Sequence, residues 1–295
     1  MKPAGSPFNL DDRETYERWK FRKLAESPKS IGDLMVEVAD PARITKAERA
    51  AILERIVRAN MAIYITGKGE DPDREIPRAV MRQFNAVRYD KNPEADETGV
   101  TTITPKEDIA ATAGYDYIPY SFKPIQWHTD GYYNPPERLV RSLILHCVKN
   151  AARGGENELM DHEMLYILLR GKNPDYIRAL MMEDAMTIPA RMEGGTVARP
   201  DQPGPVFRVD PADGSLAMRY THRIKSVVWK KEAREAMEAI RAILAAPSPY
   251  ILRGTLEPGW GLLCNNALHT RAAFEHNQSG MERTMYRIRS FDRLR

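Results

Sequence analysis

The chain has 295 residues, 42% hydrophobic and 29% charged, proportions that exclude disordered and fibrous classes. Its 44 basic and 41 acidic residues leave a formal charge of +3 and are interleaved along the chain, so there is no basic footprint for nucleic acid and no such partner is expected. No run of about 18 apolar residues occurs, and the start "MKPAGSPFNLDDRETYERWKFRKL" has no apolar signal region, so the expectation is a cytoplasmic protein without a membrane partner, with one domain over residues 1–295.

In chain order, "DDRETYERWKFRKLAES" reads as a charged helix and "TKAERAAILERIVRAN" as an amphipathic one with Thr45 as N-cap. These make residues 1–60 a helical part packing on the β core. "MAIYIT" is a short strand, a Gly/Asp/Pro loop covers Gly67 to Asp73, and "EIPRAVMRQFN" is a helix. The polar stretch of residues 92–113 has no period, which marks it as a candidate active-site loop. From Pro119 the texture turns to strands. "RLVRSLILHCVKN" ends at the turn "AARGGEN"; "PVFRVDP", "ADG" and "SLAMRYTH" form a hairpin; "YILRGTL", "GLLCNNALHT" and "RTMYRIRSF" are three further strands. Helices at "MLYILLRGKNPDYIRALMM" and "KKEAREAMEAIRAILAA" interrupt them. The class is mainly β with flanking helices (α+β), with a barrel or sandwich core. Cys147 and Cys264 lie in apolar runs and suit that core.

The chemistry concentrates at "QWHTDGYYN". His128 and Asp130, two apart, project from one face of an extended segment and can grip one ion from one side. The third ligand is sought among His146, His162, His222, His269 and His276. His269 is favoured, because "GLLCNNALHT" runs from a buried strand to a polar end. His146 sits mid-strand as a core histidine, His162 and His276 suit the surface, and His222 ends a strand beside Arg219 and Tyr220, three residues that are candidates for the substrate side. Two histidines and one carboxylate with the remaining positions open is the arrangement of non-haem Fe(II) oxygenases, and zinc also fits it. Arg283 and Arg287, four apart on a strand, share a face, and a guanidinium fork suits a carboxylate. With Arg289 they equally suit a solvated edge strand. Tyr115, Tyr117, Tyr120, Phe122, Trp127, Tyr132 and Tyr133 crowd the approach to the motif, either as packing or, for Trp127 and Tyr132 above all, as rings covering a flat or cationic substrate.

Four segments, "WHTDGYYNPP", "LILHCVKNAARGGENELMD", "PVFRVDPADGSLAMRYT" and "GWGLLCNNALHTRAAF…RTMYRIR", together resemble the Fe(II)/2-oxoglutarate-dependent oxygenases of the taurine dioxygenase group, which includes clavaminate synthase and gamma-butyrobetaine hydroxylase. The resemblance implies a distorted double-stranded β-helix, or jelly roll. It implies Fe(II) held by His128, Asp130 and His269, with 2-oxoglutarate and O2 as co-substrates, and Arg283, fourteen residues past His269, holding the far carboxylate of 2-oxoglutarate. Arg287 falls to the acidic group of the prime substrate, and Asn157 stands where relatives place a threonine that touches 2-oxoglutarate. Asp130, absent in halogenating relatives, favours hydroxylation of an unactivated C–H bond in a small anionic or zwitterionic metabolite, amino-acid-like or a quaternary ammonium. A homo-oligomer is the assembly the family suggests. From the ligands alone, a zinc hydrolase and an inactive jelly-roll binding protein are the competing readings.

Overall fold

A computed structural model describes residues 5–69, 71, 74–92, 94–105, 118–224, 227–275 and 282–295, the side chain of residue 193 excepted. Tyr115, Tyr117, His276 and positions 93 and 106–113 of the expected loop lie outside the described residues. In chain order the elements are α1 (Arg13–Ala25), β1 (Met35–Glu37), α2 (Lys46–Ala59), β2 (Met61–Ile65), α3 (Glu75–Gln83), β3 (Thr101–Ile103), β4 (Ile125–His128), β5 (Ser142–Lys149) and β6 (Asn157–Met160). Next come α4 (His162–Lys172), α5 (Pro174–Leu180), β7 (Met186–Ile188), β8 (Arg191–Glu193), β9 (Thr196–Arg199), β10 (Gln202–Gly204), β11 (Phe207–Val209), β12 (Leu216–Met218) and β13 (Val228–Trp229). The last are α6 (Arg234–Ala245), β14 (Leu252–Gly254), β15 (Trp260–Cys264), β16 (Leu268–Arg271) and β17 (Thr284–Ser290).

Two compact units form, one from Met1–Ser27, Trp127–Leu139 and Met160–Ile251, the other from Pro28–Gln126, Val140–Leu159 and Leu252–Arg295. The second unit is built on a six-stranded sheet, β1-β2-β15-β5-β17-β3, and the strands β14-β6-β16-β4 make a four-stranded one. Leu143, Cys147, Leu262 and Met285 of the larger sheet share an apolar cluster with Leu159 and Leu252 of the smaller. On the other face of the larger sheet, Ile144, Val148, Tyr286 and Ile288 pack with Ile52, Ile56, Val80 and Met81 of α2 and α3. β5 is thus buried on both faces, which is why its sequence is a continuous apolar run rather than an alternation. Helix α2 starts where its residues dictate: Thr45 and Glu48 form a reciprocal capping box, and Asn60 ends the helix in the left-handed conformation at φ 57°.

In the first unit α1 docks on α4. The Lys23 ammonium, 5% exposed, lies 2.7 Å from Asp161 and 2.5 Å from Glu163, and the Arg170 guanidinium covers the Tyr16 ring at 3.6 Å. The expected hairpin is present as β11–β12, with Phe207 opposite Met218 and Val209 opposite Leu216.

Several expectations need correction. "MLYILLRGKNPDYIRALMM" is two helices, because Asn173 precedes a proline and is forced out of the helical region (φ −160°, ψ 117°); its side chain instead caps α5 by accepting from Asp175 N. "GLLCNNALHT" is two strands of different sheets, β15 and β16, turned at Asn266 with φ 50°. His162 is not at the surface: it is fully buried, with Nε2 3.0 Å from the Leu216 carbonyl. The segment expected as a loop contributes β3, which pairs with β17. β17 is therefore no edge strand, and Arg289, 2% exposed, meets Asp90, 1% exposed, at 2.6 Å.

His146 is a core histidine as expected. Its ring stacks between Tyr64 and Tyr286, and Nδ1 lies 2.8 Å from Tyr64 Oη. Burial pushes its pKa down to about 4 because the charged form is poorly solvated there.

Asp90→Ala removes the buried carboxylate that meets Arg289 and should cost about 3–5 kcal/mol in urea unfolding; a loss below about 1 kcal/mol contradicts the pairing. For His146 the folded pKa lies below the unfolded one, so the unfolded state binds the extra proton and stability falls as pH drops from about 6.5 to 4, by roughly 3 kcal/mol in total. His146→Gln should remove that part of the pH dependence, and an unchanged slope in unfolding experiments across that range would contradict the assignment.

Candidate active site

Strand β4 ends at His128, and the chain then turns. Gly131, with φ 67°, takes a backbone conformation that side chains rarely adopt, and Asn134 N donates back to the Gly131 carbonyl at 2.8 Å. Thr129, fully buried, accepts from Tyr220 N at 3.0 Å, and His128 makes an isolated bridge to Thr221. These backbone ties fix the carboxylate of Asp130 beside the imidazole of His128, with Nε2 to Oδ1 at 3.5 Å.

His269 stands on β16, the neighbour of β4 in the four-stranded sheet. Its Nδ1 is 3.0 Å from the Ala267 carbonyl, a contact that places the proton on Nδ1 and leaves Nε2 as the lone-pair donor, the usual way a protein orients a ligating imidazole. One ligand atom each from His128, Asp130 and His269 lies within 4.8 Å of the others. Among the described residues this is the one group of three or more His, Cys, Asp or Glu side chains so arranged. Two nitrogens and a carboxylate oxygen fit a divalent iron with open positions left over.

The arginines behave differently from one another. Arg283 is 6% exposed and makes no hydrogen bond or ion pair with a described residue. Its side chain runs along Gly155, where an added Cβ would come within 3.3 Å of Nε, and its guanidinium lies 5.5 Å from the Phe274 ring centroid. Burial pushes its pKa down. Met285, two residues on, points into the inter-sheet cluster, while Tyr286 and Ile288 point to the outer one. By strand alternation Arg287 shares the face of Met285, turned toward the smaller sheet, while Arg283 precedes the strand, beyond a shift in register between Thr284 and Met285.

Arg219 is 6% exposed, and its Nη2 donates to the Met186 and Gln202 carbonyls at 2.8 and 2.9 Å; burial first, then Arg199, bring its pKa down to about 10. Tyr220 is fully buried, with Oη 3.1 Å from His222 Nδ1. These contacts hold both side chains in place within the first unit. Trp127 is 7% exposed and, adjacent to His128 on β4, leaves the strand on the opposite face. Tyr132 and Tyr133 are half-buried and meet edge to face at 5.3 Å, with the Arg199 guanidinium 5.7 Å from the Tyr133 ring. One N–H of Asn157 goes to the Thr270 carbonyl at 2.7 Å, while Oδ1 is buried without a partner among the described residues; flipping the amide would set two carbonyl oxygens together, so the orientation is fixed.

Sequence reasoning passed over Arg271. It sits two residues past His269, 5% exposed, and four backbone carbonyls accept from its guanidinium: Pro119 at 3.0 Å, Ile118 at 3.3 Å, Ser121 at 2.8 Å and Lys123 at 2.6 Å. Burial and then the charge of Arg283 bring its pKa down to about 9. The signal for it was parity: two residues past His269, it shares a strand face with that histidine.

With that geometry in view, residues 20–289 match the model of the taurine catabolism dioxygenase TauD, TfdA family. The chain belongs to this family. The family is one of dioxygenases, which favours an oxidising centre over the zinc hydrolase that the ligands alone allowed. A uridine-5′-phosphate dioxygenase of Amycolatopsis sp is 31% identical over 157 residues, 50% of this chain and 54% of the relative. The chain thus matches about half the length of that curated relative. Similar solved structures are the non-heme iron oxygenase OrfP in complex with Fe and alpha-ketoglutaric acid (17% identity, 99% of this chain, 93% of that chain, TM-score 0.63) and a taurine dioxygenase from Burkholderia xenovorans (17%, 90%, 89%, 0.59). An asparagine oxygenase in complex with Fe(II) is similar at 13% identity, 87% and 93% coverage and TM-score 0.58. They share this chain's fold, and the expected jelly-roll core is confirmed. No helix among the described residues is long and apolar enough to cross a membrane.

Substituting one of the three clustered side chains should abolish divalent-metal binding there without unfolding the protein. Asp130→Ala and His269→Ala are each expected to weaken Mn(II) binding by more than about 100-fold, beyond the 10–100-fold typical of outer-shell changes. Anaerobic calorimetric titration with a parallel melting curve measures this, and wild-type affinity in either variant contradicts the ligand set.

Proposed function

We propose that His128, Asp130 and His269 hold the iron of this dioxygenase, that Arg283 binds the far carboxylate of 2-oxoglutarate, and that Arg287 meets the acidic group of a small anionic or zwitterionic metabolite, which is hydroxylated as 2-oxoglutarate becomes succinate and CO2. The observation that carries this is the buried Arg283 guanidinium with no anionic partner among the described residues. A buried charge of that kind is costly unless a ligand completes it. Its fork takes a carboxylate through two parallel hydrogen bonds.

Bound at the triad, iron supplies the oxidising chemistry that the side chains lack. The protein's own groups do the rest. His269 is oriented by the Ala267 carbonyl, Arg283 fixes one end of the co-substrate so that its keto-acid end is presented to the metal, and the remaining N–H of Asn157 is available to the same molecule.

The described surroundings favour an anionic group on the substrate over a quaternary ammonium. One face of Tyr133 is already met by the protein's own cation, Arg199, and Arg199 and Arg219 lie close enough for one to depress the pKa of the other. The names of the relatives cover both a phosphorylated nucleoside and an amino acid: uridine 5′-phosphate in the Amycolatopsis enzyme, and (3S)-hydroxy-L-Arg in an OrfP complex. Both carry an anionic group for Arg287.

Anaerobic addition of Fe(II) and 2-oxoglutarate should give a visible charge-transfer band, and admitting air should release succinate; neither signal, across a panel of anionic metabolites, contradicts the proposal. Arg283→Ala should weaken 2-oxoglutarate binding by about 100-fold, the 2–3 kcal/mol scale of a charge-assisted pair, while Arg287→Ala leaves it within about threefold and raises the KM of the prime substrate. Equal losses of both ligands in both variants would refute that division.

A further inference from the structure

The segment of residues 118–123 leads directly into β4, the strand that ends at His128. Its backbone bends through a 3₁₀ turn at Ile118–Tyr120, closed by Ser121 N and Oγ on the Ile118 carbonyl at 3.0 and 2.9 Å. That bend turns the carbonyls of residues 118, 119, 121 and 123 inward, onto the single guanidinium of Arg271. A second tie lies alongside: Phe274 N donates to the Phe122 carbonyl at 3.2 Å, and the two rings pack at 5.2 Å. The Arg271 guanidinium itself lies 4.8 Å from the Phe274 ring.

An ordinary buried arginine is neutralised by a carboxylate, as Arg289 is by Asp90. Arg271 has none among its partners, and what surrounds it is backbone. Four convergent carbonyls are a binding site for a cation, and the chain fills it from β16. Deleting the guanidinium would remove at one stroke the four hydrogen bonds that join this part-buried bend to β16. Because β4 begins two residues after Lys123, the bend sets where that strand starts, and so the register in which it meets β16.

We infer that Arg271 is a positioning residue for the metal centre: it ties the segment of residues 118–123 to β16 and so holds His128 in register with His269. The metal consequence rests on the function proposed above, whereas the tie itself does not. Arg271 acts on metal affinity by fixing the path of a ligand strand; it contacts neither iron nor 2-oxoglutarate.

The test compares wild type, Arg271→Gln and Arg271→Lys in the full chain. Hydrogen–deuterium exchange of the metal-free protein should show faster exchange in peptides covering residues 118–128 of Arg271→Gln, with β5 and β15 unchanged. Mn(II) affinity should fall about tenfold or more, the scale of changes behind a ligand. Arg271→Lys, whose ammonium keeps three donors, should recover part of both effects, and it carries the same comparison if the glutamine variant does not fold. Exchange unchanged in residues 118–128, exchange raised throughout the chain, or Mn(II) affinity within about twofold of wild type each overturns the inference. A wild-type protein that binds no Mn(II) contradicts the proposed function instead, and the exchange result then decides on Arg271 by itself.

Discussion

Buried positive charge without a carboxylate is the constraint around which the second unit is organised. Arg271 and Arg283 both lie against Phe274, both are almost fully buried, and each depends on something other than an acidic side chain. For Arg271 that something is main-chain carbonyls, which neutralise it locally and, in doing so, fold residues 118–123. For Arg283 nothing among the described residues plays that part. The difference separates a structural cation from the one proposed above to meet a ligand. It is a stronger physical signal than the histidines, since a desolvated guanidinium has a cost that a neutral imidazole does not.

Glycine makes the second arrangement possible. Gly154 and Gly155, at φ 78° and 81°, form the turn after β5, and an added Cβ on Gly154 would fall 2.2 Å from the Ala273 carbonyl. The turn therefore approaches the chain beyond β16 more closely than any other residue would allow, and the space beside Gly155 is what Arg283 occupies. The same close approach lets Gly155 N bond the Ala273 carbonyl at 3.0 Å. Apolar packing in the inter-sheet cluster then fixes the strands that carry these turns.

Much of this was legible in the residues. The capping box at Thr45, the two-faced burial of β5 and the hairpin at Phe207–Met218 come from local pattern and turn chemistry. The i, i+2 spacing of His128 and Asp130 sets which side chains share a face. What was illegible depends on partners far off in sequence. His162 looks like a helix-start surface residue until the Leu216 carbonyl, 54 positions away, is found against it. Asn265 and Asn266 look like the polar end of one strand, yet the turn there moves the chain from one sheet to another. Arg289 looks solvated until Asp90 is placed. Arg271 lay within a quoted segment but drew no role there, because its four acceptors are backbone atoms and leave no trace in residue identity.

The central claim is that the three ligands and Arg283 together bind one iron and one dicarboxylate. A crystal structure of the protein with Mn(II) and 2-oxoglutarate, grown without oxygen, tests it most directly. The expected result is one metal ligated by His128, Asp130 and His269, chelated by the keto-acid end of 2-oxoglutarate, with the far carboxylate in a two-point contact with Arg283. Metal bound elsewhere, or a co-substrate whose far carboxylate leaves the Arg283 guanidinium unpaired, would contradict it.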